Sequence, residues 1–170
     1  MDEAQANMEW VSSALERHGA ALTRYAASIT GDDDSARDVV QDTFVRLCAE
    51  NPVQVDGHLA AWLYTVCRHR ALDMQRKLHR LVPLEADAEA ATPDGQPSPA
   101  MVLEQRETAG IALHLLAALP PQQREVVRLK FQAGLSYAEI ADVTHLSVSN
   151  VGFILHTALK ALRQCLPRHL

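Results

Sequence analysis

Apolar residues of the first eighty positions recur at intervals of three and four, which predicts amphipathic helices. A first helix is predicted from about Met8 to Ile29, and Gly31 ends it. Asp32 to Asp34 then cap and start a second helix, which runs to about Glu50, where Asn51 and Pro52 stop it. The predicted apolar face of the first helix comprises Val11, Leu15, His18, Leu22, Tyr25 and Ile29, and that of the second comprises Ala36, Val40, Phe44 and Leu47.

A third helix is predicted from about Gly57 to Leu81, so the N-terminal block contains three helices. The spacing of three and four between apolar residues continues along this helix with few breaks. No alternation of apolar and polar residues, which is typical of strands, interrupts the helix. Its apolar positions are Leu59, Leu63 and Val66, leading past Arg70 to Leu78.

Four further helices are predicted in the last seventy residues of the chain. The first covers about Met101 to Leu119, and the two prolines that follow break it, with Pro121 suited to the first turn of the next helix. That helix runs to about Gln132 and is closed by Gly134. Ser136 to Glu139 form a capping box for a short helix ending near Val143. After the turn Thr144–Leu146, Ser147 caps the last helix, which runs to about Leu166.

The stretch from Glu85 to Ala100 separates the two blocks. It has three prolines, small polar residues and only acidic charge, a composition that cannot bury a core and is typical of a flexible linker. We therefore predict an all-α chain of two small helical domains, residues 1–82 and 104–170, joined by a linker at 83–103.

A short capped helix, a short turn and a longer capped helix form a helix-turn-helix pattern. Ile140, Ala141, Leu146, Val148 and Val151 are predicted to meet at the bend, and Leu155, Ala158, Leu162 and Leu166 continue a buried stripe. A hairpin within a bundle is the alternative, but the caps, the turn length and the small residue favour DNA binding. The opposite face, expected to enter the major groove, carries Ser149, Asn150, Gly152, Phe153, His156, Thr157, Lys160 and Arg163.

Composition narrows the class of protein. Apolar residues make up 48% of the chain, too many for a disordered protein, and no apolar run is long enough to span a membrane. The acidic N-terminus lacks the order of a secretory signal, which predicts a cytoplasmic protein. The three cysteines are widely spaced and are interpreted as buried reduced thiols, and no metal site or cofactor is predicted.

The net charge of −5 is unevenly distributed. Residues 1–80 carry 9 basic and 12 acidic groups, and residues 104–170 carry 7 and 5. Within the first block, Ala61 to Lys77 mixes aromatic and basic residues on one helix, a pattern that can stack on unpaired bases and hold phosphates. Two alternatives remain: Trp62 lies in the core and does not stack on bases, and the basic residues form a solvated helix face and do not hold phosphates.

Together, the segments DVVQDTF, AWLYTVCRHRALDMQR, LPPQQREVVRLKFQAGLSYAEIA and SVSNV…ALKALR resemble the extracytoplasmic-function group of the bacterial sigma-70 family. The resemblance implies a sigma factor that joins core RNA polymerase, directs transcription initiation in response to a stress or envelope signal, and is held inactive by an anti-sigma factor. It implies that the linker threads through polymerase, and that the free protein is a monomer. An enzyme is not expected, because no catalytic motif is present.

The resemblance also assigns roles to residues. The N-terminal domain, region 2, would bind polymerase through its second helix, and would open the promoter near −10 with the loop Asn51–His58 and its third helix. The C-terminal domain, region 4, would read the −35 element with Ser147–Arg163. The implied polymerase contacts are Asp38, Val39, Gln41, Asp42 and Phe44, and the implied −10 contacts are Trp62, Tyr64, Arg68, His69, Arg70, Asp73, Arg76 and Lys77.

Several positions depart from the family pattern. The turn carries His145 instead of glycine, and position 69 carries histidine instead of asparagine. The reading helix has Gly152, Phe153, Ile154 and Thr157 where basic residues are common. Phe153 could contact a thymine methyl group or pack against protein, and Gly152 could allow close approach of DNA or of another helix. Phosphate contacts would then come from the preceding helix, through Arg124, Arg128 and Lys130.

Weak basic patches on an acidic chain would not hold promoter DNA alone at cellular salt. We therefore expect specificity to arise inside the polymerase complex. Two alternatives remain: a helix-turn-helix regulator that acts without polymerase as a dimer on a palindrome, and a helical protein-interaction adaptor.

Overall fold

All regular structure in the described part of the chain is helical, as predicted. The computed structural model describes residues 3–81, 110 and 112–165. The helices are α1 (Glu3–Thr30), α2 (Asp33–Cys48), α3 (Pro52–Val55), α4 (Leu59–Leu81), α5 (residues 112–117), α6 (Pro121–Phe131), α7 (Tyr137–Thr144) and α8 (Val148–Cys165), with a 3₁₀ turn at Asp56–His58.

The chain divides into two compact units, one built on α1–α4 and the other mainly on α5–α8. The predicted linker and most of the helix predicted from Met101 lie outside the described residues. The expectation of two helical domains is confirmed.

In the first unit, α1, α2 and α4 pack against one another in pairs. The predicted face of α2 is confirmed, since Ala36, Val40, Phe44 and Leu47 are all buried. The N-cap is confirmed as well: the Ser35 backbone N–H donates to Asp32 Oδ1 at 2.7 Å. This hydrogen bond lowers the pKa of Asp32, so the charged cap stabilises the fold at neutral pH and is lost only as the pH falls into the acid range.

Helix α1 begins five residues before the predicted start, because distant parts of the unit hold its first turns. The Asn7 side-chain amide donates to the Cys48 carbonyl at 3.2 Å, and Trp10 Nε1–H donates to Asp56 Oδ1 at 3.1 Å. The predicted burial of Leu15 is wrong: it is 49% exposed, while its neighbour Ala14 is fully buried. The buried positions of α1 are Ala14, Gly19, Leu22, Tyr25 and Ala26, so Leu15 lies beside this buried stripe and not within it.

In the second unit, α6 packs against α8. Its core is built from Val126, Leu129, Leu135, Ile140, Val151 and Leu155, all at most 2% exposed. Val151, Leu155 and Ala158 of the predicted α8 stripe are buried, Leu162 is partly buried, and Leu166 lies outside the described residues.

Candidate nucleic-acid interface

The N-termini of α7 and α8 are fixed by local hydrogen bonds that the sequence predicts. The Glu139 backbone N–H donates to Ser136 Oγ at 3.2 Å, and the Ser136 backbone N–H donates to Glu139 Oε2 at 2.7 Å, which completes the capping box. The Asn150 backbone N–H donates to Ser147 Oγ at 3.1 Å, which caps α8. The two helices of the motif therefore have the predicted ends, to within one residue.

His145 occupies the left-handed turn position, with φ 59° and ψ 32°. Its backbone N–H donates to the Ala141 carbonyl, and the Leu146 backbone N–H donates to the same carbonyl at 3.2 Å. The turn has the geometry that glycine usually provides, and the histidine residue bears the conformational strain.

The outer face of α8 is solvent-exposed along its length. Its exposed side chains are Ser149, Asn150, Phe153, His156, Lys160 and Arg163, and Gly152 and Thr157 are partly buried beside them. We call this set of six the α8 outer face. Because Val151, Leu155 and Ala158 fill the opposite side, the helix presents this face to solvent while its apolar side is held by the core.

One apolar residue at the start of α8 lies on the other side from the one predicted. Val148, the first residue of α8, is 51% exposed, so its predicted place in the buried bend is wrong. Ile154, which occupies a position where basic residues are common in the family, is 6% exposed and lies in the core. Phe153, by contrast, is 69% exposed.

Gly152 lies beneath the ring of Tyr137, the first residue of α7. A Cβ atom at position 152 would stand 3.6 Å from Tyr137 Cε2, an ordinary van der Waals distance. The glycine is therefore not required for packing of α7 against α8. Lys130 Nζ lies 5.3 Å from the Tyr137 ring centroid, a cation–π distance, and donates to the Leu135 carbonyl.

We expect Gly152→Ala to raise the free energy of unfolding by about 0.5–1 kcal/mol, because alanine loses less backbone entropy in a helix and meets no clash here. Thermal unfolding followed by circular dichroism measures it. Gly134→Ala is the matched control and should lower stability, since Gly134 has φ +69°. A drop in stability in Gly152→Ala would contradict the packing described.

The cations of α6 are less available than the sequence suggests. Arg124 Nε donates to the Leu116 carbonyl at 3.0 Å, and its Nη2 donates to the carbonyls of Ala117 and Leu119 at 2.8 and 2.9 Å. These bonds cap the end of α5, where a positive charge is favourable. Arg128 is half-buried, and burial, with Arg124 nearby, lowers its pKa. The structure thus gives Arg124 a structural role that the sequence did not indicate.

The third long helix of the first unit, α4, places only part of the predicted −10 set at the surface. Tyr64 is 2% exposed and packs edge-on against Tyr25, with ring centroids 5.1 Å apart. Its predicted contact with DNA is wrong, since residues two positions apart on a helix face nearly opposite sides and Trp62 takes the outer one. Burial raises the pKa of Tyr64 to about 12. Trp62, Arg68 and Arg70 are partly buried.

His69, Asp73, Arg76 and Lys77 are exposed along one side of α4. Arg76 and Asp73 form an ion pair at 3.1 Å between groups that are each more than half exposed. Such pairs contribute little to stability. Arg76 can therefore exchange this partner for a phosphate at small cost.

The segment Asn51–His58, predicted to be a loop, is largely helical. Asn51 caps α3 through its side-chain oxygen, which accepts from the Val53 backbone N–H at 3.0 Å. The 3₁₀ turn that follows begins at Asp56, the residue held by Trp10 of α1. No local sequence signal indicates this tie, because the two residues are 46 positions apart.

The predicted polymerase-binding residues of α2 fall on two sides of the helix. Asp38, Gln41 and Asp42 are exposed. Val39 and Phe44 are buried at 0% and 7% exposure, so direct contact through these two is wrong, because they form the core that holds α2 in place.

The cysteines form no disulfide. Cys67 is buried, as predicted, and burial raises the pKa of its thiol to about 12. Cys48 and Cys165 are exposed, which contradicts the predicted burial of these two. Within the described residues, no helix is long and apolar enough to span a bilayer, and no three potential ligands come together as a metal site.

Comparison with known proteins assigns both units to family models. The model described as sigma-70 region 2 matches residues 14–81, and that described as sigma-70, region 4, matches residues 109–162. The chain is 33% identical over 164 residues to the ECF RNA polymerase sigma factor SigL of Mycobacterium tuberculosis, covering 94% of this chain and 90% of SigL. It is 26% identical to SigM of Bacillus subtilis, covering 82% and 85%.

Solved structures agree in fold. CnrH, in complex with the cytosolic domain of CnrY, matches with a TM-score of 0.61 and 28% identity, covering 96% of this chain and 91% of CnrH. The sigma factor RpoE, in complex with the anti-sigma factor NepR from Bartonella quintana, matches with a TM-score of 0.63 and 24% identity, covering 94% and 98%.

Proposed function

Because this chain belongs to the extracytoplasmic-function sigma factors of the sigma-70 family, we propose that its two units divide the recognition of a promoter between them. The chain directs transcription initiation by joining core RNA polymerase. In the proposed division, the α1–α4 unit binds polymerase and holds the opened strand near −10, and the α5–α8 unit reads the −35 element.

The observation that carries the proposal is the sidedness of α8. Its apolar side is buried in the unit, and its polar side is exposed behind a capped, three-residue turn. A helix held in this way can enter a major groove with its N-terminal end first. Lys160 and Arg163 lie toward its far end and would contact phosphates, which position the protein without reading sequence.

Polymerase binding is proposed for the exposed residues Asp38, Gln41 and Asp42 of α2. Strand capture is proposed for α4, through the half-buried ring of Trp62 and the exposed groups His69, Arg76 and Lys77. Opening a base step costs a few kcal/mol of stacking and pairing. Stacking on an aromatic ring and contacts to phosphates can offset this cost once polymerase supplies the remaining affinity.

We infer that the protein is not an enzyme, acts in the cytoplasm with polymerase, and is a monomer when free. An anti-sigma factor is the proposed inhibitor: the family resemblance implies one, and the similar protein CnrH was solved in complex with the cytosolic domain of CnrY.

Run-off transcription with bacterial core polymerase tests the proposal. Added protein should co-elute with core enzyme and direct initiation on some members of a pool of promoter fragments, through two unlike boxes. If the protein instead bound a palindromic DNA site as a dimer and did not co-elute with core enzyme, it would be a regulator that acts without polymerase. Failure of both co-elution and initiation would refute the assignment of roles.

We expect Arg76→Ala combined with Lys77→Ala to weaken open-complex formation while leaving core binding unchanged. Each cation that holds a phosphate contributes about one unit to the slope of the salt dependence of binding, so the double variant should reduce this slope by about two units. Promoter-complex lifetimes at several salt concentrations measure this effect. Arg17→Ala with Arg24→Ala, which removes two exposed cations from α1, is the matched control. Failure of the α4 variant to bind core enzyme would mean that this surface meets polymerase instead.

A further inference from the structure

The α8 outer face has an unusual set of side chains for a groove-reading surface. From Val148 to Thr157, the two to three turns that would enter the groove first, the helix carries no arginine, lysine, aspartate or glutamate. The exposed side chains of the outer face there are Ser149, Asn150, Phe153 and His156, and the first cation is Lys160. The groups that most often read guanine, and those that accept from cytosine, are therefore absent from this end.

Phe153 is the largest exposed side chain among these residues. It is 69% exposed, and its neighbours in sequence on the buried side, Ile154 and Leu155, already fill the core. The Thr157 hydroxyl donates to the Phe153 carbonyl at 2.9 Å, so this hydroxyl is directed at its own helix. The ring is thus the dominant feature one turn into the helix, with no competing donor from position 157.

Asn150 lies three residues before Phe153 and is exposed on the same side. Its backbone N–H is the one that bonds to the Ser147 cap, and its side chain is not used in that bond. An asparagine side chain can form two hydrogen bonds with the N6 and N7 atoms of adenine, and an apolar side chain can contact the C5 methyl group of thymine. The pair therefore matches A·T base pairs in the major groove.

We propose that Phe153 and Asn150 make this chain a reader of thymine and adenine in the upstream promoter box, with the Phe153 ring lying against a thymine methyl group. This inference rests on the proposed function of α8. It assigns base recognition in this chain to an apolar contact, at helix positions where other members of the family commonly carry basic residues.

Full-length protein assembled with bacterial core polymerase provides the test. Promoter duplexes randomised across the upstream box are selected for binding by holoenzyme containing wild-type protein, Phe153→Ala or Phe153→Arg. We expect the wild type to select thymine at one or two positions, Phe153→Ala to lose that preference, and Phe153→Arg to gain guanine there. Phe131→Ala, which removes a similarly exposed ring from α6, should select the wild-type sequence.

Replacing the selected thymines by deoxyuridine removes only the methyl group and leaves base pairing intact. Wild-type binding should weaken about fourfold for each methyl group that contacts the ring. Phe153→Ala should bind the thymine and uracil duplexes equally. Asn150→Ala should lose preference at an adjacent adenine and keep the response to uracil.

Equal binding of thymine and uracil duplexes by the wild type would overturn the proposal, as would an unchanged selection by Phe153→Ala. Either result, with initiation intact, would leave the sigma-factor assignment standing. Absence of core binding and initiation would refute the proposed function, and this inference with it. Circular dichroism checks that each variant folds, which the exposure of Phe153 and Asn150 leads us to expect.

Discussion

Replacing Asp38 and Asp42 together by arginine is expected to abolish binding to core RNA polymerase and reduce run-off transcription at least about hundredfold. The two carboxylates are exposed, lie one turn apart on α2 and face the same side. Placing like charges across an interface costs several kcal/mol, and about 2.8 kcal/mol already corresponds to a hundredfold change in affinity. Co-elution with core enzyme and run-off product measure the two effects.

The fold should survive this change. Neither carboxylate is buried or lies in the first turn of α2, where Asp33 and Asp34 interact favourably with the helix dipole. Far-ultraviolet circular dichroism should therefore match the wild type. Asp38→Asn with Asp42→Asn, which removes charge without reversing it, should fall between the two.

Glu9→Arg with Glu16→Arg is the control for net charge. Both glutamates are exposed on α1, and the double change alters the charge of the chain by the same amount. It should bind core polymerase as the wild type does. If the α1 variant failed equally, overall charge would be the cause; if the α2 variant bound normally, α2 would not be the docking helix.

Local chemistry explains which parts of the fold could be predicted. The capping box at Ser136, the caps at Asp32 and Ser147 and the left-handed His145 each depend on residues within a few positions of one another. Such signals can be read from sequence. The helix ends they define are correct to within one residue for α7 and α8.

Tertiary contacts explain the features that sequence reasoning does not reach. The first turns of α1 are held by Cys48 and Asp56, more than forty positions away, and nothing near Asn7 or Trp10 indicates those partners. Arg124 looks like a phosphate ligand from its neighbours, yet it donates to the carbonyls at the end of another helix. A side chain with several donors can be assigned only when the acceptors around it are known.

Three buried residues were predicted to contact polymerase or DNA, and the helical period explains why. Val39, Phe44 and Tyr64 lie in motif segments that the resemblance assigns as a whole, although a helix turns about 100° at each residue and a segment always includes core positions. Phe44 also belongs to the predicted apolar face of α2. Applying the helical period within each motif separates Asp38, Gln41 and Asp42 from Val39 without any structure.

Tyr64→Ala is expected to destabilise the first unit by about 3–5 kcal/mol, a large share of the about 5–15 kcal/mol typical of a folded domain. The ring is almost fully enclosed and packs edge-on against Tyr25, so its removal leaves a cavity where α4 meets α1. The variant should unfold at a markedly lower urea concentration and lose transcription because the unit unfolds. Urea unfolding followed by circular dichroism, with limited proteolysis, measures this.

Tyr64→Phe separates packing from chemistry, since it keeps the ring and removes only the hydroxyl. We expect it to retain most of the stability and all promoter-opening activity, because a side chain sealed in the core touches neither strand of DNA. Trp62→Ala provides the opposite comparison: its ring is only partly buried, so it should lose open-complex formation more than stability. If Tyr64→Ala instead kept wild-type stability and lost only promoter opening, the ring would have to face the DNA, and the packing of α4 on α1 would be wrong.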